Sequence, residues 1–145
     1  MRALIQRVSS AAVAVDGKMT GEIGRGLLVF LGIKTGDTDR ELQFVADKCV
    51  NLRVFEDGEG KMNRSLLDIT GDMLVVSQFT LYGDTRKGRR PGFSAAADPA
   101  VSEPLYDRFV DTVRTCGVRV ATGVFGAHMD VSLVNDGPVT LLVEK

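Results

Sequence analysis

The chain has one histidine, His128, and only two cysteines, Cys49 and Cys116. Each scarcity removes a class of chemistry. A Ser-His-Asp or Cys-His arrangement would have to be built on His128. That residue lies in a strand-like segment, where histidine is more often a packing or surface residue. One histidine and two distant cysteines do not make a zinc set, and no carboxylate cluster has calcium or magnesium loop spacing. No Gly-x-x-x-x-Gly-Lys-Ser/Thr loop is present, so ATP chemistry is not expected. Neither a metal nor a cofactor is expected. Charge of one sign is also missing: Lys+Arg number 18 and Asp+Glu 19, leaving a net charge of −1. Such a protein does not coat nucleic acid, and any RNA contact must come from a local patch. Apolar runs are short. The longest, Gly26 to Ile33, is far below the roughly 20 residues a spanning helix needs. No apolar signal region precedes a small-residue cleavage site at the N-terminus, so no membrane contact and a cytoplasmic location are expected. An enzyme without an evident acid–base pair needs an easy reaction or a substrate that brings its own reactive group.

What is present is enough chain for a core. With 145 residues, 44% of them hydrophobic, residues 1–145 are expected to form a single domain. The chain has no linker, low-complexity tract or repeat. Residues 2–8, 11–16 and 18–24 predict short strands, with a tight turn at Asp16-Gly17. The Gly26–Ile33 run predicts a strand covered on both faces. Leu42, Val45, Ala46, Cys49 and Val50 then follow helical spacing, and Thr38 with Glu41 forms a capping-box pattern. Residues 52–55 and 72–81 are strand-like. A second helix is predicted over 103–116, with Ser102 as N-cap, Pro104 in the first turn and Gly117 ending it. Both cysteines fall on apolar helix faces and predict buried thiols. Strands over 118–124, 128–135 and 138–144 complete an α+β, layered or barrel-like domain.

Two segments carry more than fold. Gly137-Pro138 stands between two strand-like stretches. Proline donates no backbone hydrogen bond, glycine allows close approach, and X-Pro is where a cis peptide is cheap. An Asn-Asp-Gly-Pro hairpin turn is the plain alternative. Second, the apolar run Met73–Val76 leads directly into Ser77-Gln78-Phe79-Thr80-Leu81, which by itself reads as an edge strand with solvent-facing hydroxyls. A Ser-Gln-x-Thr-Leu segment after a strand, followed near the C-terminus by Asn-x-Gly-Pro-x-Thr, resembles the D-aminoacyl-tRNA deacylase family. Met1–Val8 is similar to that family's first strand, and Phe125-Gly126-Ala127-His128-Met129 to its segment before the Gly-Pro strand. Length and motif order also match.

The resemblance implies a β-rich homodimer with two helices to one side. It also implies hydrolysis of the ester joining a D-amino acid, or glycine, to tRNA. An activated ester beside a free ribose hydroxyl supplies the reactive group that the chain lacks, so positioning and an oxyanion site suffice. Ser77 and Gln78 would bond the ribose or its ester. The N–H groups of Phe79 and Thr80 would face the oxyanion. Phe79 would pack on the terminal adenine. Thr80 has no visible base, so an orienting role is expected over a nucleophilic one. Gly137 and Pro138 are expected to enter the partner subunit's site and reject an L side chain. Arg7 is placed to hold them. Phe125, Ala127 and Met129 are pocket wall by similarity, or core by periodicity. The basic run Arg86, Lys87, Arg89 and Arg90 is either an ordinary solvated loop or, given its place beside the Ser77–Leu81 segment, a grip on phosphates of the acceptor end that does not read sequence. Phe93 is either a buried anchor or a stacking platform. The partner is aminoacyl-tRNA, with no DNA. A Thr80-nucleophile esterase and a non-catalytic RNA-binding module are the alternatives.

Overall fold

The computed structural model describes residues Met1–Lys145. Its spine is one long strand, β1 (Arg2–Val15), where two short ones were predicted. The first half of β1 pairs antiparallel with β3 (Gly26–Gly32), and the second half with β2 (Lys18–Ile23). Along its other edge β1 pairs over nearly its whole length with β8 (Asp130–Glu144). The remaining strands are β4 (Phe55–Glu56), β5 (Met62–Arg64), β6 (Asp72–Ser77) and β7 (Val120–Thr122). β6 runs parallel to β3, and β7 parallel to β6. β2 curls back until Gly21 lies against the backbone of Thr122, so the sheet nearly closes into a barrel. β4 and β5 form a separate two-stranded hairpin.

The helices α1 (Asp39–Asn51) and α2 (Pro99–Thr115) pack on one face of this sheet. Side-chain alternation explains where each strand points. Ala3 and Ile5 of β1 and Leu27, Val29 and Leu31 of β3 face the helices, meeting Leu42, Val45 and Cys49 of α1 and Leu105, Phe109 and Val113 of α2. Val8, Ala11, Val13, Leu28, Leu74 and Val76 fill the inside of the curve. Exposed Ser9 and Ser10 absorb the change of parity between Val8 and Ala11 on the inner face, where the β1–β8 register shifts. β3 is apolar throughout because both its faces are covered. No helix is long and apolar enough to cross a membrane.

The capping box is formed: the Thr38 N–H donates to Glu41 Oε2 at 2.9 Å, and Thr38 Oγ1 accepts from the Arg40 N–H at 3.3 Å. The Thr38 hydroxyl and N–H hold the Glu41 carboxyl down, from an ordinary 4.5 to about 2. A depressed carboxyl contributes stability above its unfolded pKa and loses it as pH falls through the folded one. The Tm advantage of the native chain over Glu41→Ala should therefore persist at pH 6 and shrink between about pH 4.5 and 2. Glu41→Gln, which keeps the box without the charge, should show no such dependence in thermal melts.

Several predicted boundaries are corrected. α2 begins at Pro99, not 103, and its N-cap is Asp98, whose Oδ1 accepts from the Ala100 N–H at 2.9 Å. Pro99 is the N1 proline, while Pro104 lies inside the helix and Ser102 returns its hydroxyl to the Asp98 carbonyl. Of two Pro signals five residues apart, the earlier one has the better cap before it. Cys49 is buried, and burial pushes its thiol up to about 12. Cys116 is exposed, because α2 ends at Thr115 and Gly117 (φ +87°) turns the chain away. β6 stops at Ser77 rather than 81, and residues Phe79–Tyr82 form a 3₁₀ turn. The strands expected over 128–135 and 138–144 are one strand, β8, so Gly137-Pro138 is not a hairpin turn. β4 begins at Phe55 and β7 is only three residues long.

Candidate active site

A cavity of about 530 Å³ opens where β6 gives way to the 3₁₀ turn. One wall is Ser77, Gln78 and Phe79; the other is Phe125, Gly126, Ala127, His128 and Met129. Leu31, Ile33, Val76 and Tyr106 also line it, and so does Phe93, on the stretch that leads into α2. Residues far apart in sequence thus meet because β6 and the loop following β7 end on the same side of the sheet.

The Ser77–Leu81 segment is a bend rather than an edge strand. Ser77 is the last β6 residue in register with β3, opposite Leu31, and the Gln78 N–H donates to the Leu31 carbonyl at 2.8 Å. Beyond that anchor the chain winds into the 3₁₀ turn. The N–H groups of Phe79 and Thr80 open that turn and have no acceptor within it. Phe79 is 58% exposed and meets the Phe93 ring edge-on at 5.1 Å. Phe93, itself exposed, is accordingly not a buried anchor but part of the cavity rim. Thr80 does not line the cavity, and its hydroxyl accepts from the Gln78 side-chain amide.

No Asp, Glu, Lys or Arg lines the cavity. Tyr106 donates its hydroxyl to the Val75 carbonyl at 2.9 Å, and burial pushes its pKa up. His128 lies in the loop before β8, not on a strand, with its side chain 96% exposed; its nearest carboxylate is Asp130, at 4.0 Å. No serine or threonine hydroxyl is paired with it. The side chains here can bind and orient, but they do not form a nucleophile–base pair.

Gly137 and Pro138 lie elsewhere. Between the pairs Val8↔Asn135 and Gln6↔Thr140, β1 uses one residue, Arg7, where β8 uses Asp136, Gly137, Pro138 and Val139. Gly137 and Pro138 bulge from the sheet, exposed, with the peptide between them cis, while Asp136 and Val139 are half-buried. Buried Arg7 braces the bulge: Nε donates to the Asp136 carbonyl at 2.9 Å and Nη1 to the Val54 carbonyl at 2.6 Å, with the Asp136 carboxylate at 3.6 Å. Asn135 closes the base, accepting from the Val139 N–H at 3.0 Å and donating to Thr140 Oγ1 at 2.8 Å. The bulge does not line the cavity of its own chain.

The basic loop follows the 3₁₀ turn directly and is closed by paired bonds between Asp84 and Gly92. Its charges are not equivalent. Arg86 forks onto Asp84, with Nε–Oδ1 at 2.9 Å and Nη2–Oδ2 at 2.8 Å. That pairing lowers the Asp84 pKa and raises that of Arg86. No side-chain bond or ion pair engages Lys87, Arg89 or Arg90, all exposed.

A family model described as D-Tyr-tRNA(Tyr) deacylase matches residues 4–144. The chain belongs to this family. Among curated relatives, the D-aminoacyl-tRNA deacylase of Desulfatibacillum aliphaticivorans is 60% identical over all of this chain and 99% of that protein. That of Roseiflexus castenholzii is 58% identical, covering all of this chain and 92% of the relative. A solved structure described as "c-Myc DNA Unwinding Element Binding Protein" superposes with a TM-score of 0.94 at 42% identity, covering 100% of this chain and 99% of the other. Another, described as a probable eukaryotic D-amino acid tRNA deacylase, shares the fold with a TM-score of 0.84 at 24% identity, over 99% of this chain and 98% of its own.

In this member of the D-Tyr-tRNA(Tyr) deacylase family, Ser77, Gln78, Phe79, Phe125, Ala127 and Met129 come together in one cavity. Thr80 stands beside it, and Gly137, Pro138 and Arg7 form a second cluster. Asn135 and Thr140, which fasten that cluster, were not singled out, although both stand in the Asn-x-Gly-Pro-x-Thr pattern. Nor was Tyr106, whose place in the helical stripe marks it only as core.

Proposed function

We propose that the protein hydrolyses the ester joining a D-amino acid, or glycine, to the terminal ribose of tRNA. The carrying observation is a cavity walled by Ser77–Phe79 and lacking any acid–base pair, in a chain of this family. Water adds to the ester carbonyl carbon, oriented by the vicinal ribose hydroxyl, and the electron pair moves onto the carbonyl oxygen. The N–H groups of Phe79 and Thr80 receive that oxyanion. Collapse breaks the bond to the ribose oxygen, which takes up the proton given up by the attacking water, and frees the amino acid and tRNA. Ser77 and Gln78 hold the ribose, and Phe79 with Phe93 offers a ring face or edge to the terminal adenine. No cofactor takes part.

Chirality is read by a second copy of the chain. An exposed rigid bulge remote from its own cavity, flanked by exposed Val134, Leu141 and Leu142, fits a surface that a two-fold partner covers. Gly137 and Pro138 then enter the partner's cavity, where their carbonyls bind the substrate amino group and backbone fills the space of an L side chain. Phe125, Ala127 and Met129 form the opposite wall. The function is proofreading of translation in the cytoplasm.

The acceptor end is gripped by Lys87, Arg89 and Arg90, with Arg86 held back by Asp84. Replacing Arg89 and Arg90 by Gln should weaken all tRNAs alike and flatten the salt dependence by about one log unit of slope per lost phosphate contact. Arg86→Gln should change binding less than either. Equal effects in a filter-binding salt titration would show that the Asp84 pair does not matter.

The reading is tested by incubating the protein with D-tyrosyl-, L-tyrosyl- and glycyl-tRNA and following free amino acid. Release from the D and glycyl esters alone supports it. Binding without turnover supports an RNA-binding module, and hydrolysis of generic esters abolished by Thr80→Ala supports an esterase.

A further inference from the structure

The Ser77–Leu81 bend is fixed unequally at its two ends. Its entry is part of the sheet, through the Gln78 N–H on the Leu31 carbonyl. The end of β3 abuts it there, where Gly32 leaves only enough room for the Gln78 carbonyl and the Leu81 side chain. The exit has no sheet partner. A short 3₁₀ turn is weak on its own and leaves its last carbonyls in need of donors. The Leu81 carbonyl finds one in Arg2, whose Nη1 donates at 2.8 Å. The same guanidinium is oriented twice more: Nε donates to Glu144 Oε1 at 2.8 Å, and its carbon stands 4.6 Å from the centre of the Tyr82 ring. Arg2 pairs with Gly32 and Glu144 at the start of β1, so its backbone is as rigid as the sheet.

We propose that Arg2 is a positioning residue for the deacylation. Resting on the reading of Ser77–Leu81 as the catalytic segment, its bond to Leu81 fixes the exit of the bend and thereby the direction of the Phe79 and Thr80 N–H groups. Arg2 does not line the cavity; it acts through the turn. Donors aimed at a developing charge lose most of their value when displaced by a fraction of an ångström, so a restraint on their direction belongs to kcat rather than to substrate binding.

Three variants separate this from a merely structural role. Arg2→Met should lower kcat for D-tyrosyl-tRNA roughly tenfold with KM unchanged, and should speed amide hydrogen exchange at Leu81 and Gly83. Arg2→Lys, with a donor that still reaches one acceptor, should recover part of both. Glu144→Gln, which removes the ion pair but leaves the Leu81 bond, should keep kcat and exchange near wild type. Full kcat in Arg2→Met, or an equal loss in Glu144→Gln, overturns the proposal. If the wild-type protein releases no D-tyrosine, the functional reading has failed instead. In that case unchanged exchange in Arg2→Met would show independently that Arg2 does not restrain the turn.

Discussion

Gly137→Ala should lower kcat/KM for D-tyrosyl-tRNA by about 100-fold, with a stability loss of about 1–3 kcal/mol. Gly137 has φ +125°, where a side chain is strained, and a Cβ there would stand 2.5 Å from Arg7 Nη2. The guanidinium cannot simply step aside, because it is buried and already donates to the Asp136 and Val54 carbonyls. Either the bulge shifts or Arg7 gives up an acceptor, and both move the element proposed to read chirality. Binding of uncharged tRNA, proposed to rest on the basic loop, should not change. Steady-state kinetics on the D and L esters, with thermal melts of the variant, check both parts. A stable Gly137→Ala protein with full activity and intact D-over-L discrimination would contradict the role given to the bulge.

The second large effect belongs to the substrate. D-Tyrosyl-tRNA whose terminal adenosine lacks the vicinal hydroxyl should be cleaved at least about 100-fold more slowly, whereas Thr80→Ala should stay within about threefold of wild type. No Asp, Glu, Lys or Arg lines the cavity, and Thr80 faces Gln78 rather than the cavity. His128 is almost wholly exposed, with no hydroxyl paired to it. With no carboxylate or lysine in the cavity and His128 exposed to solvent, orienting the water falls in this proposal to the ribose hydroxyl. Normal turnover of the deoxy substrate, together with a dead but folded Thr80→Ala, would reverse the assignment.

Strands, helices and the cavity's main wall could be read from the sequence because each has a local signature. β3 is apolar on both faces, α1 carries its capping box, and the two motifs stand at recognisable places in the chain. The failures share a cause: they are settled by contacts across the sheet. β1 and β8 looked like four strands because Ser9-Ser10 and Gly137-Pro138 break the alternation. In the structure each break is a bulge within a continuous ladder, and Arg7 fills the gap opposite Gly137-Pro138. The Ser77–Leu81 bend reads as strand because Phe and Thr favour strands and an apolar strand runs straight into it. It turns because β3 ends at Gly32 and offers nothing further to pair with. Cys116 continues the apolar stripe of α2 by spacing alone, but the helix ends one residue before it. The Arg86–Asp84 fork had no signal beyond two charges two residues apart.

The central claim is that one chain's cavity and a second copy's bulge make each active site, and subunit complementation tests it most directly. Ala127→Trp fills the cavity wall and leaves the bulge intact; Gly137→Ala damages the bulge and leaves the cavity intact. Each variant alone should be close to inactive on D-tyrosyl-tRNA. Co-expressed in equal amounts, they should recover about one quarter of wild-type activity, because half of the dimers are mixed and each mixed dimer carries one undamaged site. Activity no greater than the sum of the two parents, or full activity in a monomer, would show that cavity and bulge do not act together across subunits.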